Sequence, residues 1–265
     1  MKRAYIDTPE GQIHYRIEGR GEPLLLLHKV GLSSDQFTEM LPILGINYLV
    51  IAMDILGYGN SDQPANKFGL EDYARNTIHF LDALKVKKTN VAGHLVGASL
   101  AVEMAAAYPE RVEKIVLCSC INLEPASYKK MQDEFRNKRM EFREDGSHLV
   151  DLWKSKYRMS RPPMSLENVQ RTIVDYLRSG LGTRADDLHR ALFEWDIETR
   201  LPLIKCPTLL LYNRGDSELS GLEATKKLIH KCQTKIIEGP HSFTFWEKPE
   251  ALSQVIIEFL KNQRV

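Results

Sequence analysis

Charge of one sign is what this chain most conspicuously lacks: 36 Lys and Arg stand against 35 Asp and Glu, for a formal net charge of +1 over 265 residues. Nucleic acids and anionic membranes are met by basic faces, so neither is an expected partner. No apolar run approaches the roughly 20 residues that span a bilayer. The N-terminus also lacks the charged-then-apolar pattern of a signal peptide, and a cytoplasmic location is the expectation. Cysteine is scarce. Cys118, Cys120, Cys206 and Cys232 have no metal-ligand spacing, and Cys118 and Cys120 alternate along one apparent strand, which predicts that both face the same way. Free core thiols are expected rather than disulfides. No glycine-rich phosphate loop and no ligand cluster is present, so no cofactor and no metal is expected.

What the chain does have is apolar content, 43% against 27% charged, enough for one large core with an inserted subdomain. Short apolar runs alternate with helical patterns: Leu24 to Leu27, Leu49 to Ala52, Asn90 to Ala92, Lys114 to Ser119, Thr208 to Tyr212 and Thr234 to Ile237. Strands alternating with helices predict a mostly parallel sheet covered on both faces. Ala4 to Asp7 and Gln12 to Glu18, around Pro9-Glu10-Gly11, read as a hairpin at one sheet edge. From residue 123 to 200 the strand signal stops and the chain turns charged and helical, broken by Pro162-Pro163. This divides the chain into a core, 1–122 and 201–265, and a helical insertion, 123–200. Met159, Met164, Leu177, Leu181, Leu192, Phe193 and Trp195 are candidates to line a pocket beneath that insertion; the alternative is that they hold it together.

Gly93-His94-Leu95-Val96-Gly97 has the glycine frame of a sharp strand-to-helix turn, following the strand Thr89 to Gly93 and preceding the Ala-rich helix Val96 to Ala107. Four more segments fall in order: Leu24 to Leu27 with His28-Lys29-Val30-Gly31, Asp54-Ile-Leu-Gly57-Tyr-Gly59-Asn-Ser61-Asp62, Pro207 to Tyr212 leading to Asp216, and Gly239-Pro240-His241 ahead of Trp246-Glu-Lys-Pro249. Together they resemble the α/β-hydrolase superfamily over almost the whole chain. The resemblance implies a mostly parallel eight-stranded sheet with helices on both faces, the insertion as a cap over the site, and a nucleophile, Asp216 and His241 in the family's Ser, Asp, His order. It also implies an oxyanion hole from the backbone N–H groups of Val30 and Val96. His28 and His94 belong to the same motifs, and Glu218 is a nearby competitor for the acid's role.

Two positions depart from the family pattern. Leu95 stands where the nucleophile belongs, so the turn is kept and the attacking oxygen is missing; ordinary two-step ester hydrolysis is not expected. Lys29 stands where the oxyanion loop usually carries glycine. An amine in a dry, apolar site is pushed toward its neutral, nucleophilic form, and Leu95 would contribute to that dryness; Leu95, Val30, Val96 and His94 are the candidate substrate-binding residues, with packing or hydrogen bonding the plainer role for His94. The leading expectation is therefore an engineered hydrolase scaffold. In it Lys29 forms a Schiff base with a small apolar carbonyl compound for retro-aldol-type carbon–carbon cleavage, while His241 moves protons beside Asp216. The other reading is an inactivated ester, lactone or carbon–carbon hydrolase, or a non-catalytic ligand-binding relative, with the Lys29 ammonium reaching into solvent.

Overall fold

In a computed structural model the described residues are 1–122, 128–130, 132, 133, 140–158, 164–180, 187–238 and 244–262. A hairpin of β1 (Lys2–Thr8) and β2 (Gly11–Gly19) leads into β3 (Glu22–Leu27), β4 (Tyr48–Met53), β5 (Thr89–His94), β6 (Val112–Cys118), β7 (Thr208–Asn213) and β8 (Cys232–Ile237). They form one sheet of order β1-β2-β4-β3-β5-β6-β7-β8. β1 and β2 pair antiparallel, β2 meets β4 antiparallel, and every later pairing is parallel. The predicted runs lie on these strands, with ends displaced by a residue or two.

The central strands are apolar without interruption because both faces are covered. Leu25, Leu27, Ile51, Val91, Ile115, Leu117 and Leu210 join one core cluster with the helices α2 (Leu70–Ala83) and α3 (Val96–Ala107). Their neighbours Leu24, Leu26, Val50, Ala52, Val116 and Leu209 join a second cluster with α1 (Met40–Leu44) and the C-terminal helix Pro249–Lys261. Successive side chains of one strand thus serve opposite cores. Cys118 packs in the second cluster and Cys120 in the first, which corrects the expectation that they share a face. The strand ends at Cys118, and Ser119 takes φ +52, so the two-residue alternation stops there.

Between β6 and β7 the described chain adds α4 (Ser147–Arg158), α5 (Leu166–Arg178), α6 (Asp187–Glu194) and α7 (Ile197–Arg200), and after β7 come α8 (Leu222–Leu228), α9 (Thr244–Glu247) and α10 (Pro249–Lys261). The end of this insertion is fastened to α3. Glu103, 1% exposed, accepts from Trp195 Nε1 at 2.9 Å and from Arg200 Nε at 2.7 Å. Helix α5 docks on the segment after β3, where Arg171 donates to Asp35 Oδ2 at 2.9 Å and to Glu39 Oε1 at 2.7 Å and lies over the Trp246 ring. No described helix is long and apolar enough to cross a membrane.

The turn at residue 95 is a tight joint of the fold. A Cβ on Gly93 would lie 2.1 Å from the Gly97 carbonyl oxygen, and one on Gly97 would lie 2.2 Å from that of Leu27. Backbone cannot yield there as a side-chain tip does, so Gly97→Ala is expected to lose about 3 kcal/mol of stability, read as a lowered midpoint in denaturant.

Candidate active site at the carboxyl ends of the parallel strands

Loops that leave the carboxyl ends of parallel strands converge at one edge of such a sheet, where ligands bind in open α/β folds. Here those loops carry Lys29 after β3, Leu95 after β5, Ser119 after β6, and Asp216 and Glu218 after β7. His241, with Gly239 and Pro240, lies outside the described residues, as do Met159 and Leu181.

Leu95 takes φ +51, ψ −112, one of three non-glycine positive-φ residues among those described. Such a conformation costs on the order of 1–3 kcal/mol and persists only where its surroundings impose it. The Leu95 N–H donates to the Cys118 carbonyl at 2.9 Å, and its own carbonyl accepts from Ala98 N at 2.9 Å and Ser99 N at 3.1 Å. Its side chain is half-buried and packs, with Val30 and Tyr176, against the main core cluster. The N–H groups of Val30 and Val96 have no acceptor among the described residues. They are the donors a negatively charged oxygen at this turn would use.

Beneath the loop after β3 runs a chain of fixed polar groups. The Lys29 N–H donates to Gln36 Oε1 at 3.2 Å, and Gln36 Nε2 donates to His94 Nδ1 at 3.0 Å. His94, expected against substrate, has no exposed surface: it lies under Gln36 with its ring centroid 4.5 Å from that of Phe245, where it supports the loop. Its other nitrogen, Nε2, has no partner among the described residues. Burial, then the charges of Lys29 and His28, hold His94 well below the ordinary imidazole range and keep it neutral. His28 is fixed in one tautomer, since Nδ1 donates to the Lys29 carbonyl at 2.8 Å and Nε2 accepts from Ile55 N at 2.9 Å.

Lys29 is half-buried. Burial, and second the charge of Lys156 on α4, bring its pKa from 10.5 down to about 7, against the opposing pull of Glu218 and Asp216. Asp216 is buried, and its Oδ2 accepts from Ser119 Oγ at 2.6 Å and Asn213 N at 2.7 Å. Ser119, at φ +52, thus holds the Asp216 carboxylate. Glu218 is half-buried, takes a bond from Ser217 Oγ at 2.9 Å, and is raised above the usual carboxylate range by burial and then by Asp216. Cys118 and Cys120 are poor nucleophiles: burial raises both thiols, Cys120 to about 12. Of the candidate lining residues, Leu177 is 39% exposed and faces outward, Leu192 and Trp195 belong to the main core, and Met164 packs with Leu32, Val169 and Trp246.

Asp175 on α5 touches the same loop, accepting from Ser33 Oγ at 2.7 Å. Burial raises its carboxyl to about 6, with Asp35 and Asp54 adding to the rise. The native state therefore holds a proton that the unfolded chain, at the ordinary 3.8, releases earlier. Stability contributed at this position is present below pH 4 and is lost as pH rises through about 6. Asp175→Asn keeps an acceptor for Ser33 and is expected to gain on the order of 2 kcal/mol at pH 8 and nothing at pH 4, measured by unfolding at both.

Sequence alone missed Ser119, Lys156, Tyr176 and Asp175, because each lies far from the motifs and is brought in by tertiary packing. Against known proteins, the profile of the alpha/beta hydrolase fold matches residues 22–249. An uncharacterized protein of Mycobacterium tuberculosis is 31% identical over 105 residues, covering 40% of this chain and 31% of that protein, so the chain spans less than a third of this relative's length. The 2-hydroxy-6-oxo-6-phenylhexa-2,4-dienoate hydrolase of Comamonas testosteroni is 25% identical over 287 residues, covering 97% of this chain and 94% of that one. Among solved structures, bromoperoxidase from Bacillus anthracis superposes with a TM-score of 0.82 at 20% identity, over 98% of this chain and 100% of that chain.

Proposed function

The chain belongs to the alpha/beta hydrolase fold family, and from that premise we propose that it performs amine chemistry on a hydrolase scaffold, with Lys29 condensing with a small apolar carbonyl compound for retro-aldol-type carbon–carbon cleavage. The observation that carries the reading is the placement of Lys29, on the loop after β3, within the electrostatic reach of Asp216 and Glu218 on the loop after β7 and of Lys156 on the insertion. In this reading an amine at the same end of the sheet as the acid loop of a hydrolase frame, beside a turn whose apex is leucine, is the group left to attack a carbonyl.

Neutral Lys29 adds through Nζ to the carbonyl carbon, and loss of water gives a protonated Schiff base. The substrate's β-hydroxyl then gives up its proton as the Cα–Cβ bond breaks. An aldehyde leaves, and the electron pair forms an enamine on Lys29. Protonation at carbon and hydrolysis release the ketone and the free amine. Glu218, raised above the usual carboxylate range by burial, is the described group assigned to carry these protons in this reading; His241, which the family pattern pairs with Asp216, is the second. Leu95 and Val30, both packed on the main core cluster, are the apolar wall in this reading, with the insertion as the cap. The two departures serve one replacement chemistry, as an engineered scaffold would. The Comamonas relative is named for a substrate with a ketone on a phenyl group, and a ketone of that class is open to condensation with an amine.

Incubation with an aromatic 1,3-diketone tests the reading: enaminone absorbance with one adduct per chain, at Lys29, supports it, and adducts spread over surface lysines defeat it. A second reading, an inactivated hydrolase that binds its ligand without turnover, draws on the retained turn at Leu95 and on the N–H groups of Val30 and Val96, which have no acceptor among the described residues.

A further inference from the structure

Gln36 is only 1% exposed, on the one-turn 3-10 helix Ser34–Phe37. Burying an amide is costly unless its groups find partners, and here both ends are used. Oε1 accepts from the Lys29 N–H at 3.2 Å and Nε2 donates to His94 Nδ1 at 3.0 Å. A backbone N–H only donates, so the amide oxygen must face Lys29 and the amide nitrogen must face the ring. His94 Nδ1 is then the acceptor, and the ring proton of this neutral imidazole is on Nε2.

The two partners belong to different loops. Lys29 and Val30 follow β3, whereas His94 ends β5 and leads into Leu95 and Val96. The ladder between these strands stops at the pair Leu27 and Gly93, so beyond it the strands no longer set how far apart the loops run. Gln36 reaches across that gap from a turn that is itself anchored elsewhere. Ser34 N donates to Asp54 Oδ1 at 2.6 Å, Arg16 Nη2 donates to Asp35 Oδ1 at 2.8 Å, and Phe37 packs edge-on to Phe245 with ring centroids 5.4 Å apart. Phe245 in turn lies against the His94 ring. A side chain with three rotatable bonds loses freedom when both ends are tied, and what that ordering fixes here is the distance between two loops.

We propose that Gln36 is a positioning residue: its amide sets the separation of the loop carrying Lys29 and Val30 from the turn carrying Leu95 and Val96, and with it the spacing of the Val30 and Val96 N–H groups. The spacing does not depend on which chemistry the site runs; only the capture readout below rests on the amine reading. Arg171 of α5 bonds to the neighbouring Asp35, so the turn that receives the insertion is also the one that spaces the site.

Nitrogen NMR of the full chain tests this. In the parent, His94 Nδ1 is expected to resonate as a bare ring nitrogen and Nε2 as a protonated one; the reverse tautomer overturns the assignment before any variant is made. Gln36→Met keeps the length of the side chain and removes both bonds. In it the Val30 and Val96 amide resonances are expected to move. Capture of Lys29 by an aromatic 1,3-diketone at saturating reagent, taken on the plateau above each protein's own pH midpoint, is expected to slow about tenfold. Gln36→Glu, whose carboxyl group again faces both partners, is expected to restore the resonances and the rate. A folded Gln36→Met protein with both amide resonances in place and capture unslowed shows that Gln36 only fills space, and overturns the proposal. Absence of capture in the parent defeats the amine reading alone, and the two amide resonances then decide whether Gln36 positions the loops.

Discussion

Enaminone formation with an aromatic 1,3-diketone is expected to rise with pH through a midpoint near 7, to stop at one adduct per chain, and to vanish in Lys29→Met. The midpoint follows from the site. Burial and Lys156 bring Lys29 to about 7 from an ordinary 10.5, so at pH 7 about half of it is neutral, against roughly 0.03% of an ordinary lysine. That is about a thousandfold more nucleophile at this position than at a surface lysine, enough to confine early labelling to Lys29. The sign is fixed by the reacting form: deprotonation makes the nucleophile, so the rate climbs with pH and levels off above the midpoint. A profile still rising toward pH 10 would place the ammonium in solvent and defeat the reading.

The same shift supplies the control for folding. Between pH 7 and 10.5 the unfolded chain holds a proton on Lys29 that the folded chain has released, so stability rises with pH across that window. Below pH 7 the folded protein bears the full cost of an enclosed ammonium. Lys29→Met removes that cost, and the variant is expected to unfold no earlier than the parent at pH 6. Loss of the adduct in a variant that is at least as stable is then loss of the amine and nothing else.

Much of this was legible in the sequence, and the division between what was and was not has a physical basis. Sheet and helices announced themselves through periodicity: a run such as Leu24 to Leu27 has no polar position because its alternate side chains enter two different cores. The turn at Leu95 was legible because Gly93 and Gly97 are held by backbone oxygens about 2 Å from where a Cβ would sit, a requirement no other residue type meets. Cys120 was misplaced because a single positive φ at Ser119 ended the alternation, and nothing in Cys-Ser-Cys marks it. Lys156 and Asp175 were out of reach for another reason. Their places depend on tertiary packing, with α4 set against α5 and α5 against the loop after β3, more than a hundred residues away in the chain, as in the Ser33–Asp175 bond.

Leu95→Ser is expected to convert this chain into an esterase, with a burst of p-nitrophenol from p-nitrophenyl acetate and an acetyl group on the new serine. The backbone needs no rearrangement: position 95 already has φ +51, its N–H is tied to Cys118, and the N–H groups of Val30 and Val96 have no acceptor among the described residues. Asp216, the acid that the family pattern implies, is held through Oδ2 by Ser119 and Asn213. If His241 completes the set as the family pattern implies, Leu95→Ser is expected to exceed Leu95→Ala by at least about a thousandfold in the acylation rate, and adding Asp216→Asn is expected to remove about four orders of magnitude. The substitution also separates the two readings of the parent. Esterase activity gained by Leu95→Ser alongside diketone capture in the parent describes a hydrolase frame carrying a second chemistry. The same gain with no capture describes a hydrolase silenced at one residue. No acetylation of the new serine would mean that the turn has kept its shape while the groups around it no longer form a hydrolase site, and Leu95 would then be holding the turn rather than standing in for a nucleophile.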